Sequence, residues 1–224
     1  MRHPFWKRWL SYFKEISLEQ TSSLSNPYLE VLLVEGRHQL ATRDAIYSFD
    51  DKYINFDFAF GEMDWSQVKG NRVLLLGLGL GSVILLLEKK HGKKLDYTAI
   101  EIDREICRLC SEYTLGDLDS FVEVIPVEAM TFIDRDTDTY DLVIMDVFQS
   151  GDIPQKFQSE SFLRKLKDRL KPGGLMLYNR LRITALDKEE NAAFRVRMKK
   201  VFKDMKELEI KNNIVFASDS QHFK

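Results

Sequence analysis

Residues 72–103 read RVLLLGLGLGSVILLLEKKHGKKLDYTAIEID and decide the fold. The apolar run at residues 73–76 is too short for a helix, and the alternating glycines of GLGLG follow it, so it predicts a buried strand that ends in a tight turn. Helical spacing from residue 83 to 90 and a second strand-like run at residues 95–100 lead into the acidic E-I-D. This order of strand, glycine turn, helix, strand and acid predicts a parallel, nucleotide-binding α/β unit.

The glycine turn and the acid that follows the second strand predict a nucleoside site. Gly77, Gly79 and Gly81 let a ligand approach the main chain, and the helix that starts there directs free N–H groups at it. Glu101 at the tip of the second strand is placed to accept both ribose hydroxyls. A dinucleotide-binding G-x-G-x-x-G would need glycine where Ser82 stands, which disfavours a nicotinamide cofactor. The alternative is a glycine-containing turn that binds no ligand.

Composition narrows the class of protein. The chain has 224 residues, 44% of them hydrophobic, and a formal net charge of −2, so we expect one substantial core and no nucleic-acid partner. No apolar run is long enough to span a membrane, and no export signal is visible, which predicts a cytoplasmic protein. Cys107 and Cys110 share one face of a predicted helix and have no second ligand pair nearby, so no metal site is expected.

Alternating strand and helix patterns after residue 68 predict an α/β fold. We expect a Rossmann-like, mostly parallel seven-stranded sheet with helices on both faces, and a small N-terminal β-hairpin element ahead of it. Three regions are predicted: an amphipathic helix at residues 1–20, the β-element at 28–60 and the nucleoside-binding domain at 68–218. Later helices are expected at residues 104–115, 127–133, 157–170 and 191–205, and later strands at 121–125, 140–145, 175–179, 208–210 and 214–217.

Residues 1–17 combine aromatic and basic side chains at helical intervals, as in Phe5, Trp6, Trp9 and Phe13. Such a helix is expected to cover part of its own fold, to contact a partner chain, or to lie on an anionic membrane surface as a peripheral contact. These three readings stay open at the level of sequence.

Acids recur where predicted strands end. Glu101, Glu128 and Asp146 follow three of the parallel strands, whose carboxyl ends meet at the ligand-binding edge of an open α/β sheet. Helix capping is an alternative role for Glu128. G-x-G-x-G followed by E-I-D, the pair Glu128-Ala129, the motif YDLVIMD ending at Asp146, and K-P-G-G before the next strand together resemble the spermidine-synthase-like branch of the class I S-adenosylmethionine-dependent methyltransferases.

This resemblance, which covers roughly residues 28–218, implies the site residues. The glycines together with Glu101, Ile102 and Asp103 would hold the nucleoside and its tail, Glu128 and Ala129 the adenine amine, and Asp146 would be the catalytic acid. A homodimer is also implied.

The sequence departs from the polyamine-making members at positions that would read the amines. Those enzymes carry acids where Leu80 and Gln149 stand, and by alignment a glutamine at Tyr47 and a tyrosine at Phe56. Because decarboxylated S-adenosylmethionine and its acceptor are cations, losing acids weakens their binding, whereas an apolar residue at position 80 tolerates the carboxylate of intact S-adenosylmethionine. The alternative is that Leu80 points into the core and reads nothing.

We therefore predict an S-adenosylmethionine-dependent methyltransferase with an unidentified small-molecule acceptor, whose pocket includes Tyr47, Leu80 and Gln149. The first alternative is an aminopropyltransferase that uses decarboxylated S-adenosylmethionine, with replacement acids drawn from Asp44, Asp50, Asp51 or Asp152. The second alternative is a nucleoside-binding protein without catalysis.

Overall fold

The computed structural model describes residues 3–43, 46–149 and 152–224. The N-terminal part contains a four-stranded antiparallel sheet in the order β1-β2-β3-β4. Its elements are α1 (Phe5–Leu10), β1 (Ile16–Thr21), β2 (Leu29–Val34), β3 (Arg37–Ala41), β4 (Ile46–Phe49) and α2 (Ile54–Glu62). Glu35 and Gly36 both have positive φ angles, which the tight turn between β2 and β3 requires.

The helix predicted over residues 1–20 is shorter than expected. It ends at Leu10, and Ile16–Thr21 instead forms β1, which pairs with β2 in antiparallel fashion. The main-chain groups of this segment are satisfied by the neighbouring strand, which a helical pattern of aromatic residues does not reveal. The small β-element therefore starts at Ile16 rather than at residue 28, and it is a full sheet rather than a single hairpin.

The rest of the chain forms the predicted seven-stranded sheet, in the order β10-β11-β9-β8-β5-β6-β7. The pairs among β5, β6, β7, β8 and β9 are parallel, and β11 pairs antiparallel with both β9 and β10. The mostly parallel Rossmann-like fold is therefore confirmed. The strands are β5 (Arg72–Leu76), β6 (Asp96–Glu101), β7 (Phe121–Pro126), β8 (Tyr140–Met145), β9 (Leu170–Leu181), β10 (Lys206–Ile210) and β11 (Asn213–Ala217).

Local sequence sets where the helices begin. Asp103 caps α4, and Thr184 forms a reciprocal capping box with Asp187, so α7 begins at Ala185, six residues before the predicted start. The helices are α3 (Ser82–Leu85), which continues into a π-helical turn (Leu86–Lys90), α4 (Arg104–Tyr113), α5 (Ala129–Arg135), α6 (Glu160–Asp168) and α7 (Ala185–Val201). Among the described helices, none combines the length and the apolarity that a membrane crossing requires.

Apolar residues cover both faces of the large sheet. One layer packs α2 and α3 against the sheet, and the other packs α5, α6 and α7 against it. A third cluster joins the N-terminal sheet to α4. β5 has β6 on one side and β8 on the other, so the chain changes direction across the sheet at β5. Open α/β sheets bind ligands outside the carboxyl ends of the strands at such a point.

Cys107 and Cys110 both lie in α4, and neither forms a disulfide. Cys110 is fully buried, and burial raises the pKa of the Cys107 thiol to about 12. Both thiols are therefore protonated and unreactive at neutral pH. In the described part of the chain, no group of three His, Cys, Asp or Glu side chains has the arrangement of a metal site.

Candidate active site

A cavity of about 490 Å³ lies at the carboxyl ends of β5 to β9. The N-terminal sheet closes one side of it, because the hydroxyls of Ser48 in β4 and Ser82 at the start of α3 are 2.7 Å apart. The backbone N–H of Phe49 also donates to the Ser82 hydroxyl, at 3.1 Å. A volume of this size suits a nucleoside with a short tail. The cavity is therefore built jointly by the large sheet and the N-terminal element.

The glycine turn forms the floor of this cavity through Gly77 and Gly79. Gly77 has a φ angle of +90°, and a Cβ atom there would lie 2.4 Å from the carbonyl oxygen of Asp146. The protein's own main chain thus demands glycine at this position, whatever ligand binds. Gly81, a predicted cofactor residue, lies behind the turn and faces Cys110 of α4 and Thr114, the residue that follows this helix.

Glu101 reaches from the end of β6 over the glycine turn. Its carboxylate accepts hydrogen bonds from the N–H groups of Leu78, at 3.3 Å, and Asp103, at 3.0 Å. Burial raises the pKa of Glu101, and these N–H donors oppose that rise. Glu101 lines the cavity, as does Ile102, whose side chain is 57% exposed. The carboxylate therefore stands where a ribose above the turn would need it.

Asp103, predicted as a cofactor residue, has a structural position instead. Its carboxylate caps α4 by accepting from the N–H of Glu105 at 2.9 Å. It also accepts from the side chains of Ser23 and of Asn26, the latter at 2.7 Å. With these bonds the side chain is buried outside the cavity lining. Asp103 thus ties the segment between β1 and β2 to the end of β6.

Glu128 and Ala129 follow β7 and line the cavity, as the strand order predicts. Glu128 also caps α5, accepting from the N–H of Thr131 at 2.9 Å, so the capping role is present alongside the cavity position. Lys156 forms an ion pair with its other carboxylate oxygen at 2.9 Å. Burial alone would raise the pKa of Glu128, but the bonds from Lys156 and the backbone outweigh it and lower the pKa.

Asp146 follows β8 and also lines the cavity. Tyr53 donates its phenolic O–H to Asp146 at 2.8 Å, and the side-chain amide of Asn179 donates at 2.8 Å. Asn213 in turn donates to the amide oxygen of Asn179 at 3.0 Å. Burial raises the pKa of Asp146 to about 7, although both of its donors act to lower it. At neutral pH this carboxylate can therefore both accept and release a proton.

Tyr53 and Lys156 are site residues that the sequence did not predict. The family tyrosine was aligned with Phe56, but Phe56 is fully buried in the core against α3. The spacing of Phe56, Ala59 and Phe60 marks the buried face of α2 and places Tyr53 just before that helix, so this pattern could have excluded Phe56. Nothing in the local sequence indicates that Lys156 reaches Glu128.

Two of the three predicted pocket residues line the cavity, and the third does not. Tyr47 lines the cavity from β4, and Gln149 lines it from the exposed loop after β8. Leu80 does not: it is 1% exposed and packs with Leu29 and Val31 of the N-terminal sheet. The prediction that Leu80 contacts the ligand's tail is therefore wrong, because the N-terminal sheet packs over the outer side of the glycine turn.

The acids proposed as replacements for the missing amine ligands are mostly occupied elsewhere. Asp50 is half-buried and accepts from the backbone N–H of His38 at 2.7 Å, and Asp51 forms an ion pair with Arg37. Asp152 is exposed, and its main chain pairs with that of Gln149. Asp44 lies outside the described residues.

Comparison with known proteins identifies relatives of the chain. It is 31% identical over 109 residues to a probable polyamine aminopropyl transferase of Bifidobacterium longum, a match that covers 49% of this chain and 24% of that protein. It is 28% identical over 137 residues to polyamine aminopropyltransferase 2 of Pseudomonas aeruginosa, covering 58% and 39% of the two chains. The chain thus spans less than half the length of these curated relatives.

The fold of this chain also matches that of a protein of known structure. The spermidine synthase of Thermotoga maritima superposes with a TM-score of 0.67 at 13% sequence identity, covering 90% of this chain and 71% of that one. At this identity the likeness concerns the fold alone.

These relatives correct the predicted activity. The prediction of methyl transfer is wrong, since the relatives matched by sequence are named polyamine aminopropyltransferases. The prediction depended on Leu80 facing the ligand, and Leu80 lies in the core. The resemblance to spermidine synthases is confirmed, because the sequence model of the spermine/spermidine synthase domain matches residues 62–211. Since that match covers well over half of its length, this chain belongs to the spermine/spermidine synthase domain family.

Proposed function

We propose that this chain is an aminopropyltransferase, which moves an aminopropyl group from decarboxylated S-adenosylmethionine to an amine. The observation that carries the proposal is the arrangement of Glu101 and Asp146 in one cavity, at the ends of strands on either side of β5. The names of the sequence relatives and the family membership support the choice of this reaction.

The residues present fit an adenosine-bearing sulfonium. Glu101 offers a half-buried carboxylate beside the glycine turn, suited to a pair of ribose hydroxyls. Glu128 and Ala129 lie at the neighbouring strand end, where an exocyclic adenine amine would find an acceptor. Three carboxylates, those of Glu101, Glu128 and Asp146, and one ammonium, that of Lys156, line the cavity. The cavity therefore favours cationic ligands.

Asp146 would act as the general base. In the transfer, the amine nitrogen forms a bond to the propyl carbon attached to the sulfonium, the C–S bond breaks, and sulfur keeps its electron pair. The amine proton passes to Asp146, which Tyr53 and Asn179 hold in place. A carboxylate has about four acceptor positions, so about two remain for the amine after these two donors are satisfied.

A product assay tests this proposal. The full chain would be incubated with decarboxylated S-adenosylmethionine and a set of primary amines that includes putrescine, and products would be identified by mass spectrometry. We expect 5′-methylthioadenosine together with an aminopropylated amine, and a much lower rate of formation of both from the Asp146→Asn variant. Calorimetric binding of the nucleoside without turnover on any amine would overturn the proposal in favour of a nucleoside-binding protein.

A further inference from the structure

The large aromatic side chains of residues 3–14, which we call the aromatic segment, are left exposed by the rest of the fold. α1, at its centre, buries none of its residues. Phe5 is 83% exposed, Trp6 64%, Trp9 58% and Phe13 72%. Large apolar side chains exposed side by side are uncommon on soluble proteins and mark an interaction surface. Of the readings left open by the sequence, the one in which this segment covers its own fold is therefore wrong.

The aromatic segment is nevertheless fixed in place. Ser11 is 2% exposed, its hydroxyl accepts from the N–H of Gly36 at 2.8 Å, and its carbonyl accepts from the N–H of Glu35 at 2.9 Å. The rings of Trp9 and Phe13 contact each other, with centroids 4.9 Å apart. The turn between β2 and β3 thus holds the segment while its rings point to solvent.

The charges of the aromatic segment have one sign. Lys7 and Arg8 lie between the rings, Lys14 follows the last of them, and the first acid, Glu15, comes just before β1. A symmetric contact with a second copy would place these cations against themselves, which is unfavourable. Tryptophan rings flanked by lysine and arginine are instead the composition of a surface that lies in the headgroup region of an anionic membrane.

We propose that the aromatic segment docks the chain on an anionic lipid surface. The rings enter the boundary between headgroups and acyl chains, and the cations contact lipid phosphates and carboxylates. This surface is separate from the cavity, since no residue of the segment lines it. The proposal therefore stands or falls independently of aminopropyl transfer.

Vesicle sedimentation of the full chain tests the proposal. Vesicles of phosphatidylcholine alone would be compared with vesicles that also contain about 30% phosphatidylserine, at low and high salt. We expect binding to the anionic vesicles only, a loss of binding at high salt, and a blue shift of tryptophan fluorescence on binding. Absence of binding to anionic vesicles, or equal binding to both kinds, would overturn the proposal.

A variant with Trp6→Ala, Trp9→Ala and Phe13→Ala tests the rings. We expect its partition onto anionic vesicles to fall at least about tenfold, with unchanged thermal unfolding because the rings are exposed. Phe121→Ala is the matched control, since Phe121 is also 67% exposed but lies in β7. If the triple variant binds as well as this control, the rings do not dock on the lipid and the proposal fails.

A second pair of variants tests the charges. Lys7→Gln with Lys14→Gln should lower the partition about tenfold or more, since each lysine near an anionic surface contributes to binding. The control variant, Lys199→Gln with Lys203→Gln, removes the same charge from exposed positions in and after α7. It should change the partition onto anionic vesicles little. Light scattering could instead show a dimer that only the variant without the three rings disrupts, while neither this variant nor the unchanged chain binds vesicles. The segment would then be a contact between copies, and the proposal would be overturned.

Discussion

Glu128 follows β7, and Asp146 follows β8, the next strand in the sequence. Both carboxylates line the same cavity, yet their surroundings differ. Glu128 has an ammonium partner, Lys156, and backbone N–H donors, so its pKa is lowered. The hydrogen-bond partners of Asp146 among the described residues are neutral, Tyr53 and Asn179, and burial raises its pKa to about 7. The difference shows that the charge of the groups bonded to a carboxylate, more than its position at the sheet edge, decides whether the carboxylate stays charged or exchanges protons.

The largest effect is expected for Asp146→Asn. An asparagine keeps the shape of the side chain but cannot accept the amine proton, so kcat/KM should fall about 10²–10⁴-fold. Nucleoside binding, measured by calorimetry, should change little because Glu101 is untouched. Glu128→Gln is the matched control at the other carboxylate, and a loss of turnover as large in that variant would remove the distinction between the two acids.

Glu101→Gln should weaken nucleoside binding rather than chemistry. A hydrogen bond to a charged group contributes about 1.5–3 kcal/mol, so the dissociation constant should rise roughly 10- to 150-fold. The expectation is checked by titrating decarboxylated S-adenosylmethionine into both proteins. Asp103→Asn serves as a comparison, since that residue lies outside the cavity lining. Unchanged affinity for the Glu101 variant would contradict the ribose contact.

Tyr53→Phe sharpens the comparison by removing one neutral donor from Asp146. Because that hydrogen bond lowers the pKa of the carboxyl group, its loss should raise the pKa above about 7 and move the acid limb of the rate profile to higher pH. We expect turnover at pH 7 to fall about tenfold and to recover in part at pH 9. A pH profile identical to that of the unchanged protein would show that Tyr53 does not act through Asp146.

The same shift makes a prediction about stability. The carboxyl of Asp146 is protonated up to about pH 7 when folded, whereas an unfolded aspartate ionises near its ordinary pKa of 3.8. The folded state therefore binds more protons between these values, and this residue's contribution to the free energy of unfolding falls as pH rises from about 4 to 7. Thermal unfolding should show Asp146→Asn to be more stable than the unchanged protein at pH 8, and equally stable at pH 4. A variant less stable at pH 8 would contradict the raised pKa.

The smallest effect is expected for Lys156→Gln. The lysine is half-exposed, and ion pairs of this kind contribute about 0–1 kcal/mol, so turnover should change less than about fivefold. The pKa of Glu128 should rise, because Lys156 helps to lower it. A loss of activity as large as that of Asp146→Asn would indicate that Lys156 takes part in the chemistry.

The sequence predicts the sheet edge of this site well. Glycines after β5 and acids after β6, β7 and β8 are local signals, and parallel strands bring their carboxyl ends to one edge. Glu101, Glu128 and Asp146 therefore line one cavity although they are distant in sequence.

What the sequence could not predict depends on how distant segments pack. Tyr53 comes from the N-terminal part and Lys156 from a short 3₁₀ helix (Gln155–Gln158) before α6, and nothing near either residue identifies its partner. The position of Leu80 in the glycine turn predicts contact with the ligand, because the sequence does not show that the N-terminal sheet packs over this turn. The role of the aromatic segment likewise does not follow from its own sequence, because it depends on which side chains the rest of the fold buries.

A titration of Asp146 itself tests the central claim most directly. The protein would be labelled with ¹³C at the aspartate carboxyl carbons, and the pH dependence of their chemical shifts would be followed by NMR, with Asp146→Asn identifying the resonance. We predict that the resonance missing from the variant titrates near pH 7. A resonance that titrates below about pH 5 would contradict the account, because Asp146 would then be as permanently charged as Glu128.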